Sequence, residues 1–176
     1  MQDTDFSVIL QREPMLTPMS EPFIRKAHAG DLPTVNRLLG QVLKLHHDGR
    51  PDLFPPTGKK YTDAELCAIF ENPDTPVFVY EAEGRVMGYI FCELQVPHSH
   101  NLNPIKTLYI DDLCVDESCR GRHVGQALFA YAKAFAAAEG CHNITLHVWE
   151  KNPAARAFYE AQGLTVQYTS MEMTLD

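Results

Sequence analysis

Apolar residues follow two different spacings along the chain, and each spacing predicts a kind of element. A stripe with gaps of three and four residues predicts a first helix, which Asp31 would cap. Its members are Val35, Leu38, Leu39, Val42 and Leu45. Thr62 and Glu65 form a capping box that predicts a second helix through Phe70. Residues His142 to Trp149 alternate between apolar and polar side chains, as a half-buried strand does.

Further strand-like segments surround these elements and predict an α+β fold. They are Phe23 to Ala27, Val77 to Tyr80, Val86 to Val96, Leu108 to Val115 and a final pair within Leu164 to Leu175. A length of 176 residues with 45% hydrophobic residues suits one domain with a full core. We therefore expect residues 1–21 to form an N-terminal arm and residues 22–176 to form a single domain.

The composition narrows the classes of partner. The formal net charge is −8 and no basic block is present, which argues against nucleic-acid binding, because clustered Lys and Arg hold phosphate backbones. The longest apolar runs are far shorter than the roughly 20 residues of a membrane span, so no membrane partner is expected. The five cysteines are scattered without metal-ligand spacing, which favours reduced thiols in a cytoplasm and no metal site.

The most informative segment lies between the Leu108 to Val115 strand and the helix that follows it. This segment reads Arg120-Gly121-Arg122-His123-Val124-Gly125. Its two glycines let the backbone approach a ligand closely, and the amides of a helix N-terminus attract anions. Successive amides and two arginines suit a pyrophosphate. The spacing differs from the dinucleotide G-x-G-x-x-G fingerprint and the P-loop lysine is missing, so nicotinamide and ATP sites are disfavoured.

Leu113 to Gly125 resembles the acetyl-CoA loop of the GNAT superfamily of N-acetyltransferases, whose pattern is R/Q-x-x-G-x-G/A after an apolar strand. The one departure is His123, which stands where the family has its central glycine. If this position takes a positive φ, a non-glycine residue is strained there. Trp149 to Leu164 resembles the second signature of the superfamily, with Asn152 as helix cap and Tyr159 within the helix.

The resemblance implies a GNAT-like fold, in which helices flank a central mixed, mostly antiparallel sheet and two middle strands splay apart to bind acetyl-CoA. Acetyl-CoA is the implied cosubstrate, and no metal is implied. The residues implied to bind it are Leu113, Cys114, Val115, Arg120, Gly121, Arg122, His123, Val124, Gly125, Gln126, Asn152, Ala155 and Tyr159. In the family, a tyrosine at the position of Tyr159 often protonates the leaving thiolate. Packing is the alternative role for this ring.

The strand segment Tyr109 to Leu113 supplies the candidate base. It is similar to the acidic strand of spermidine/spermine acetyltransferases, in which the first acid of the pair faces the acceptor amine. Regular alternation places Asp111 and Asp112 on opposite faces of the strand. We therefore expect Asp111 to accept the proton of the amine, with Asp112 in reserve. The structural alternative for Asp111 is a partnership with an arginine or the capping of a turn.

Acceptor contacts are expected from the segment after the first helix and from the third strand. The candidates are Arg50, Asp52, Phe54 and Glu93, although a rigid proline-rich connector would also explain the first three. The predicted function is direct acetyl transfer from acetyl-CoA to a primary amine, and the acidic charge favours a small cationic amine. The alternatives are acetylation of a protein or peptide amine, and a CoA-binding sensor without turnover, which His123 would favour. A homodimer is a further expectation.

Overall fold

The structure is a computed structural model that describes residues 21–97 and 99–175. The predicted arm, residues 1–21, lies outside the described residues except for Glu21. The strands are β1 (Phe23–Lys26), β2 (Val77–Ala82), β3 (Arg85–Gln95), β4 (Thr107–Val115) and β5 (Asn143–Leu146). The helices are α1 (Leu32–Gly49), α2 (Asp63–Glu71), α3 (Val124–Ala138) and α4 (Pro153–Ala161).

The five strands form one mixed sheet in the order β1-β2-β3-β4-β5. Strands β1 to β4 pair antiparallel with one another, and β5 runs parallel to β4. The predicted α+β class and the mostly antiparallel sheet are confirmed. Within residues 21–97 and 99–175, no helix has the length and apolar character needed to cross a membrane.

Each face of the sheet carries its own hydrophobic core. The core under α3 includes Phe78, Met87, Ile90, Leu128 and Phe129. The core under α1 and α2 includes Val35, Leu38, Leu66, Val79 and Tyr89. Because these cores lie on opposite faces, the core that a β4 side chain joins identifies the face toward which it points.

Gly88 allows α3 to lie close to the sheet. A Cβ at this position would lie 2.7 Å from the carbonyl oxygen of Cys114 and 3.2 Å from a methyl of Val124. A larger residue would therefore push the first turn of α3 away from β3 and β4. The close packing places the N-terminus of α3 beside the end of β4.

The register between β3 and β4 shifts at one point. Phe91 pairs with Asp112, but the next residue, Cys92, pairs with Ile110. Asp111 is therefore the extra residue of a β-bulge, which bends the strand and interrupts the alternation of its side chains.

β4 and β5 separate after a short run of pairing. β5 pairs with Thr107–Ile110 of β4, whereas β4 continues to Val115. One edge of the segment from Asp111 to Val115 therefore has no strand beside it within the described chain. The predicted splay of two middle strands is confirmed.

Two strand predictions differ from the structure. The predicted strand from His142 to Trp149 contains only Asn143–Leu146, because the chain turns away from β4 after this point. The predicted strand pair within Leu164 to Leu175 is wrong, since no residue of this segment is in a strand. Five of its large apolar side chains are 62–93% exposed, so the alternating pattern has no sheet to face. They are Val166, Tyr168, Met171, Met173 and Leu175.

Asp31 is the N-cap residue of α1, as predicted, but its carboxylate binds elsewhere. Asp31 makes no side-chain cap bond to that helix. Its carboxylate instead accepts hydrogen bonds from Arg25 at 2.7 Å and from the backbone amide of His28 at 2.9 Å. A buried carboxylate gains more from a guanidinium than from a cap bond, because hydrogen bonds between charged groups are the stronger kind.

Candidate active site

One buried carboxylate anchors the turn that precedes α3. Asp116 accepts hydrogen bonds from the backbone amide and the hydroxyl of Ser118, at 3.0 and 2.8 Å. Its other oxygen lies 2.6 Å from the guanidinium of Arg37. Burial raises the pKa of Asp116, but the bonds from Ser118 and Arg37 outweigh burial and bring the pKa to about 2. These bonds therefore hold the start of the following loop in place.

The loop between this turn and α3 has the geometry of an anion site. Gly121 and His123 both take left-handed backbone conformations, with φ of 76° and 61°, just before α3 begins at Val124. The side chain of His123 makes no cap bond, so the first amides of α3 remain free to donate. Free amides at a helix N-terminus attract phosphate oxygens.

The two loop arginines differ in their partners. Arg122 forms an ion pair with Glu83, which lies in the turn between β2 and β3. Arg120 is exposed and forms no salt bridge with any residue in the described part of the chain. Arg120 can therefore reach a phosphate without giving up an existing ion pair.

The start of α3, the end of β4 and α4 meet at Gly125. A Cβ at Gly125 would lie 3.5 Å from the ring of Phe158 and 3.5 Å from Val115. Across this contact, Asn152 caps α4 by accepting a hydrogen bond from the amide of Ala155 at 3.1 Å. The structure thus brings together the two segments that the sequence implied for acetyl-CoA.

Tyr159 lies on α4, next to Phe158, and its ring packs against the core under α3. The ring centroid is 5.1 Å from that of Phe158 and 6.3 Å from that of Phe129. Burial raises the pKa of Tyr159, and the negative charge of Asp112 raises the pKa further. The hydroxyl therefore stays protonated at neutral pH, as a proton donor must.

The bulge at Asp111 overturns the expected face assignment on β4. Ile110 lies in the core under α3, and Leu113 packs against the same core although it is three residues later. Asp112 therefore points to the other face, where its carboxylate meets Tyr89 of the α1–α2 core. Regular alternation assumes a constant period of two, and the extra residue breaks that period.

Asp111 faces the same side as Asp112, because the loop before α2 holds its carboxylate. The Oδ2 of Asp111 accepts a hydrogen bond from Nζ of Lys60 at 2.7 Å and from the hydroxyl of Tyr61 at 3.3 Å. Tyr61 stacks on Phe91 and packs against the α1–α2 core. The prediction that the two carboxylates lie on opposite faces is wrong. Asp111 does form an ion pair, as the structural alternative for this residue expected, but its partner is a lysine and not an arginine.

Asp112 has the environment of a general base. Its Oδ2 accepts a hydrogen bond from the hydroxyl of the fully buried Tyr89 at 2.8 Å. Burial raises the pKa of Asp112 to about 6, although the charge of Lys60 and the bond from Tyr89 act in the opposite direction. A carboxylate with this pKa is ionised at pH 7 and is a stronger base than an ordinary aspartate.

Other side chains near the site do not support other chemistry. Burial raises the pKa of Cys114 to about 12, and its thiol points to the carbonyl oxygen of Leu38 at 3.7 Å. A thiol that stays protonated is a poor nucleophile, so Cys114 is a poor candidate for a covalent acetyl intermediate. Among residues 21–97 and 99–175, no group of three His, Cys, Asp or Glu side chains could hold a metal ion.

An open groove of about 230 Å³ lies beside β4 at Tyr109, two residues before Asp111. Its lining residues are Gln95, Tyr109, Thr145, Leu146, His147, Gln167 and Tyr168. The hydroxyl of Tyr109 lies 3.2 Å from Nδ1 of His147, whose other nitrogen contacts Tyr168. Burial raises the pKa of Tyr109, and the nearby charge of Asp111 adds to the rise. Glu93 lies directly opposite Tyr109 in the β3–β4 pairing and so shares the face of the groove.

Arg50 and Phe54 line a second crevice, beside Asn152 at the start of α4, and Asp52 is paired to Arg50. The ring of Phe54 is 5.4 Å from that of Trp149. Arg50 binds Asp52 at 2.7 Å and Glu172 at 2.9 Å, which ties this loop to the C-terminal segment. Of the predicted acceptor residues, only Glu93 therefore lies on the groove face.

Four residues around the acidic pair were not predicted from the sequence: Lys60, Tyr61, Tyr89 and Tyr109. The residues around Lys60 and Tyr61 contain no sequence pattern that predicts a contact between their loop and β4. Tyr89 did carry a signal, because its hydroxyl interrupts an apolar run on the predicted strand from Val86 to Val96. The hydroxyl of a buried tyrosine needs a partner, and that requirement points to a polar neighbour such as Asp112.

His123→Gly should stabilise the fold, because a non-glycine residue at φ 61° carries backbone strain. The free energy of unfolding should rise by about 1 kcal/mol. Gly121→Ala is the matched control, since its φ of 76° makes the added Cβ unfavourable and should lower stability. Urea denaturation measures both. A His123→Gly variant less stable than the parent would mean that the contact of His123 with Gln126 outweighs the strain.

Comparison with known proteins agrees with this geometry. Residues 41–164 match the acetyltransferase (GNAT) family. The uncharacterized N-acetyltransferase YhfO of Bacillus subtilis is 27% identical over 141 residues, which cover 80% of this chain and 87% of that protein. A glucosamine 6-phosphate N-acetyltransferase of Trypanosoma brucei brucei is 28% identical over 101 residues, which cover 57% of this chain and 65% of that protein.

A solved structure shares the fold over most of its length. The crystal structure of a mutant BH1408 protein from Bacillus halodurans superposes with a TM-score of 0.83 and 30% identity. The superposition covers 87% of this chain and 99% of that chain. The family match spans well over half of the present chain. This chain belongs to the acetyltransferase (GNAT) family and is an acetyl-CoA-dependent N-acetyltransferase.

Proposed function

We propose that the enzyme transfers the acetyl group of acetyl-CoA directly to a small primary amine that is cationic in solution. The observation that carries this proposal is a pair of groups with opposite proton-transfer roles. Asp112 is an ionised carboxylate with a pKa of about 6, and Tyr159 is a protonated phenol whose pKa responds to the charge of Asp112. One group can take a proton from the amine while the other gives a proton to the thiolate.

Acetyl-CoA fits the open edge of β4 and the loop before α3. The pantetheine arm would lie along Leu113 to Val115, whose edge has no neighbouring strand and can bind an extended ligand as a sheet binds a strand. The pyrophosphate would accept hydrogen bonds from the amides between Gly121 and Gly125, and from Arg120. This arrangement would bring the thioester to the opening between β4 and β5, near Tyr159.

The transfer needs one bond to form and one to break. The nitrogen of the neutral amine attacks the thioester carbonyl carbon, and the carbon–sulfur bond then breaks. Asp112 takes the proton released from nitrogen, and Tyr159 gives its proton to the departing thiolate. Holding the two substrates together supplies much of the rate, since positioning removes the entropic cost of a bimolecular encounter.

We propose Asp112 as the base ahead of Asp111, which the sequence favoured. The carboxylate of Asp111 already shares its charge with Lys60 at 2.7 Å. Asp112 has no cation within salt-bridge distance among the described residues, and its neighbour Tyr89 is neutral. Asp111 then acts as an acceptor-binding residue at the mouth of the groove.

The acidic surroundings support a cationic acceptor. Glu93, Asp111 and Asp112 all lie on the groove side of the sheet, and the formal net charge of the chain is −8. The Trypanosoma relative is named for an amine that also bears a phosphate, so an acceptor with an anionic group must be compared directly. Protein or peptide amines and a sensor without turnover are the competing functions.

Thiol release from acetyl-CoA, measured over a panel of amines, tests this proposal. The panel includes monoamines, diamines, aminoglycosides, glucosamine 6-phosphate, amino acids and short peptides. We expect the highest kcat/KM with a cationic small amine, and a rise in acceptor KM with salt because ions screen the charges of Glu93, Asp111 and Asp112. Turnover with peptides alone would favour a protein acceptor. Tight binding of acetyl-CoA without turnover would favour the sensor.

We also propose a homodimer in a cytoplasmic location. The exposed apolar side chains within Leu164 to Leu175 form a surface that a second copy could cover. All five cysteines are free thiols, which supports a reducing compartment. Light scattering during size-exclusion chromatography should give the mass of two chains. A single-chain mass at every concentration would contradict the dimer.

Arg120→Ala should weaken the binding of acetyl-CoA, because Arg120 is the exposed loop arginine that has no carboxylate partner among residues 21–97 and 99–175. A charge-assisted hydrogen bond is worth roughly 1.5–3 kcal/mol, so the dissociation constant should rise about 10- to 150-fold. Arg85→Ala is the control, since Arg85 is exposed and lies near Glu83 in the neighbouring turn. Calorimetric titration gives both constants. Unchanged affinity in Arg120→Ala would remove Arg120 from the site.

Tyr159→Phe should lower turnover by about 10²- to 10⁴-fold, because the change deletes the acid and keeps the ring. The affinity for acetyl-CoA should stay the same. Tyr131→Phe on α3 is the control, since Tyr131 is 38% exposed and its ring packs against Phe78 of β2. A variant with normal turnover and weaker cofactor binding would assign Tyr159 to packing.

Tyr89→Phe should move the acidic limb of the pH–rate profile to higher pH. Asp112 must be ionised to act, so activity falls as the pH drops through its pKa, which is about 6. The bond from Tyr89 stabilises the carboxylate, and its loss raises the pKa of Asp112 further. The profile of kcat/KM measures the shift. An unmoved limb would mean that another group is the base.

A further inference from the structure

A cation from the protein itself occupies part of the acidic pair. The Nζ of Lys60 lies 2.7 Å from Asp111 and 5.2 Å from the centroid of the Tyr61 ring. A carboxylate beside an aromatic face is a suitable site for an ammonium group of a ligand. Lys60 therefore fills a subsite that an amine acceptor with a second charge would otherwise use.

We infer that Lys60 is a specificity-determining residue, which restricts the acceptor to amines with one positive charge and disfavours diamines and polyamines. This inference rests on the proposed function and deepens it. With Lys60 paired to Asp111, the carboxylate left for the reacting amine is Asp112. A second ammonium group on the acceptor would need an anionic partner, but it would instead lie close to the positive charge of Lys60.

The charge of Lys60 acts on groups from two elements of the fold. Besides Asp111, its charge acts on Asp112 and Tyr109 of β4 and on His46 of α1. Asp112 and Tyr109 lie on the groove side of the sheet, whereas His46 lines the second crevice. A free ammonium bound beside Asp112 or Tyr109 therefore feels the charge of Lys60 as well. Two ammonium groups that lie close together in a partly exposed site repel each other substantially, because the effective dielectric constant there is well below that of water.

The ion pair between Lys60 and Asp111 can open. Lys60 therefore alters the relative affinity for different amines and does not block the site. The side chains of Lys60 and Asp111 are 42% and 34% exposed. Exposed ion pairs are weak, so an acceptor can displace the lysine from Asp111 without a large cost. The displaced ammonium remains tethered nearby, however, and its charge still counts against a second cation.

Three amines of equal chain length separate the charges: diaminobutane, aminobutanol and aminobutanoate. We expect wild type to have a higher kcat/KM with aminobutanol than with diaminobutane. Lys60→Met should raise the ratio of diaminobutane to aminobutanol about tenfold, the size of one short-range charge interaction. Lys59→Met is the matched control, because Lys59 pairs with Asp63 at 2.9 Å, away from β4, and should leave the ratio unchanged.

Two further variants separate charge from disruption of the fold. Lys60→Arg keeps the charge and should keep the wild-type ratio of diaminobutane to aminobutanol. Asp111→Asn removes the carboxylate that pairs with Lys60 and should lower this ratio. An unchanged ratio in a folded Lys60→Met would overturn the inference. A loss confined to aminobutanoate in Lys60→Met would also overturn it, and would assign the lysine to an anionic group of the acceptor.

A measurement without turnover keeps this test independent of the proposed function. Calorimetric titration of diaminobutane and aminobutanol into the complex with CoA gives the same preference as a ratio of dissociation constants. Suppose that wild type released no thiol with any amine, but its ratio of dissociation constants showed the expected preference and changed in Lys60→Met. The proposed function would then be wrong, and the inference about Lys60 would stand. A binding ratio insensitive to Lys60 in an active enzyme would overturn the inference alone.

Discussion

The site depends on what happens to β4 immediately after Ile110. At that residue β4 loses its pairing with β5, and the next residue, Asp111, is the extra residue of the bulge against β3. The loss of pairing leaves a free backbone edge, and the bulge turns two successive carboxylates to one side of the sheet. A regular strand in this place would have kept its neighbour and pointed one of the two acids into the core under α3.

The parts of the site that depend on local sequence were predictable. The loop from Arg120 to Gly125 and the cap of α4 at Asn152 are contiguous signals, because the conformation of each is set by residues a few positions apart. Their meeting at Gly125 follows from the fold that the resemblance implied. The same is true of the capping box of Thr62 and Glu65, which the structure contains.

The parts that depend on register or on distant segments were not predictable. A bulge leaves no reliable mark in the sequence, since Tyr109 to Leu113 reads equally well as a regular strand. Lys60 comes from a loop about fifty positions before Asp111, and only the folded chain shows their contact. The apolar alternation after Gly163 predicted strands, but alternation states only that one face can be buried, not which surface buries it.

The opposite roles of Asp112 and Tyr159 come from one physical cause. Burial disfavours the charged form of any acid, so it raises the pKa of both groups. The carboxylate starts from a low pKa and rises only to about 6, so it remains ionised at neutral pH and becomes a better base. The phenol starts well above neutrality and rises further, so it keeps its proton.

The sign of the shift at Asp112 also links function to stability. A carboxyl group whose pKa is higher in the folded state than in the unfolded state costs stability as the pH rises from about 4 to about 6. Above that range the full cost remains, and it is the penalty of holding an ionised carboxylate in a poorly solvated place. The hydrogen bond from Tyr89 and the charge of Lys60 reduce this penalty without removing it. A carboxylate solvated well enough to avoid the penalty would have an ordinary pKa, and it would be a weaker base for the amine.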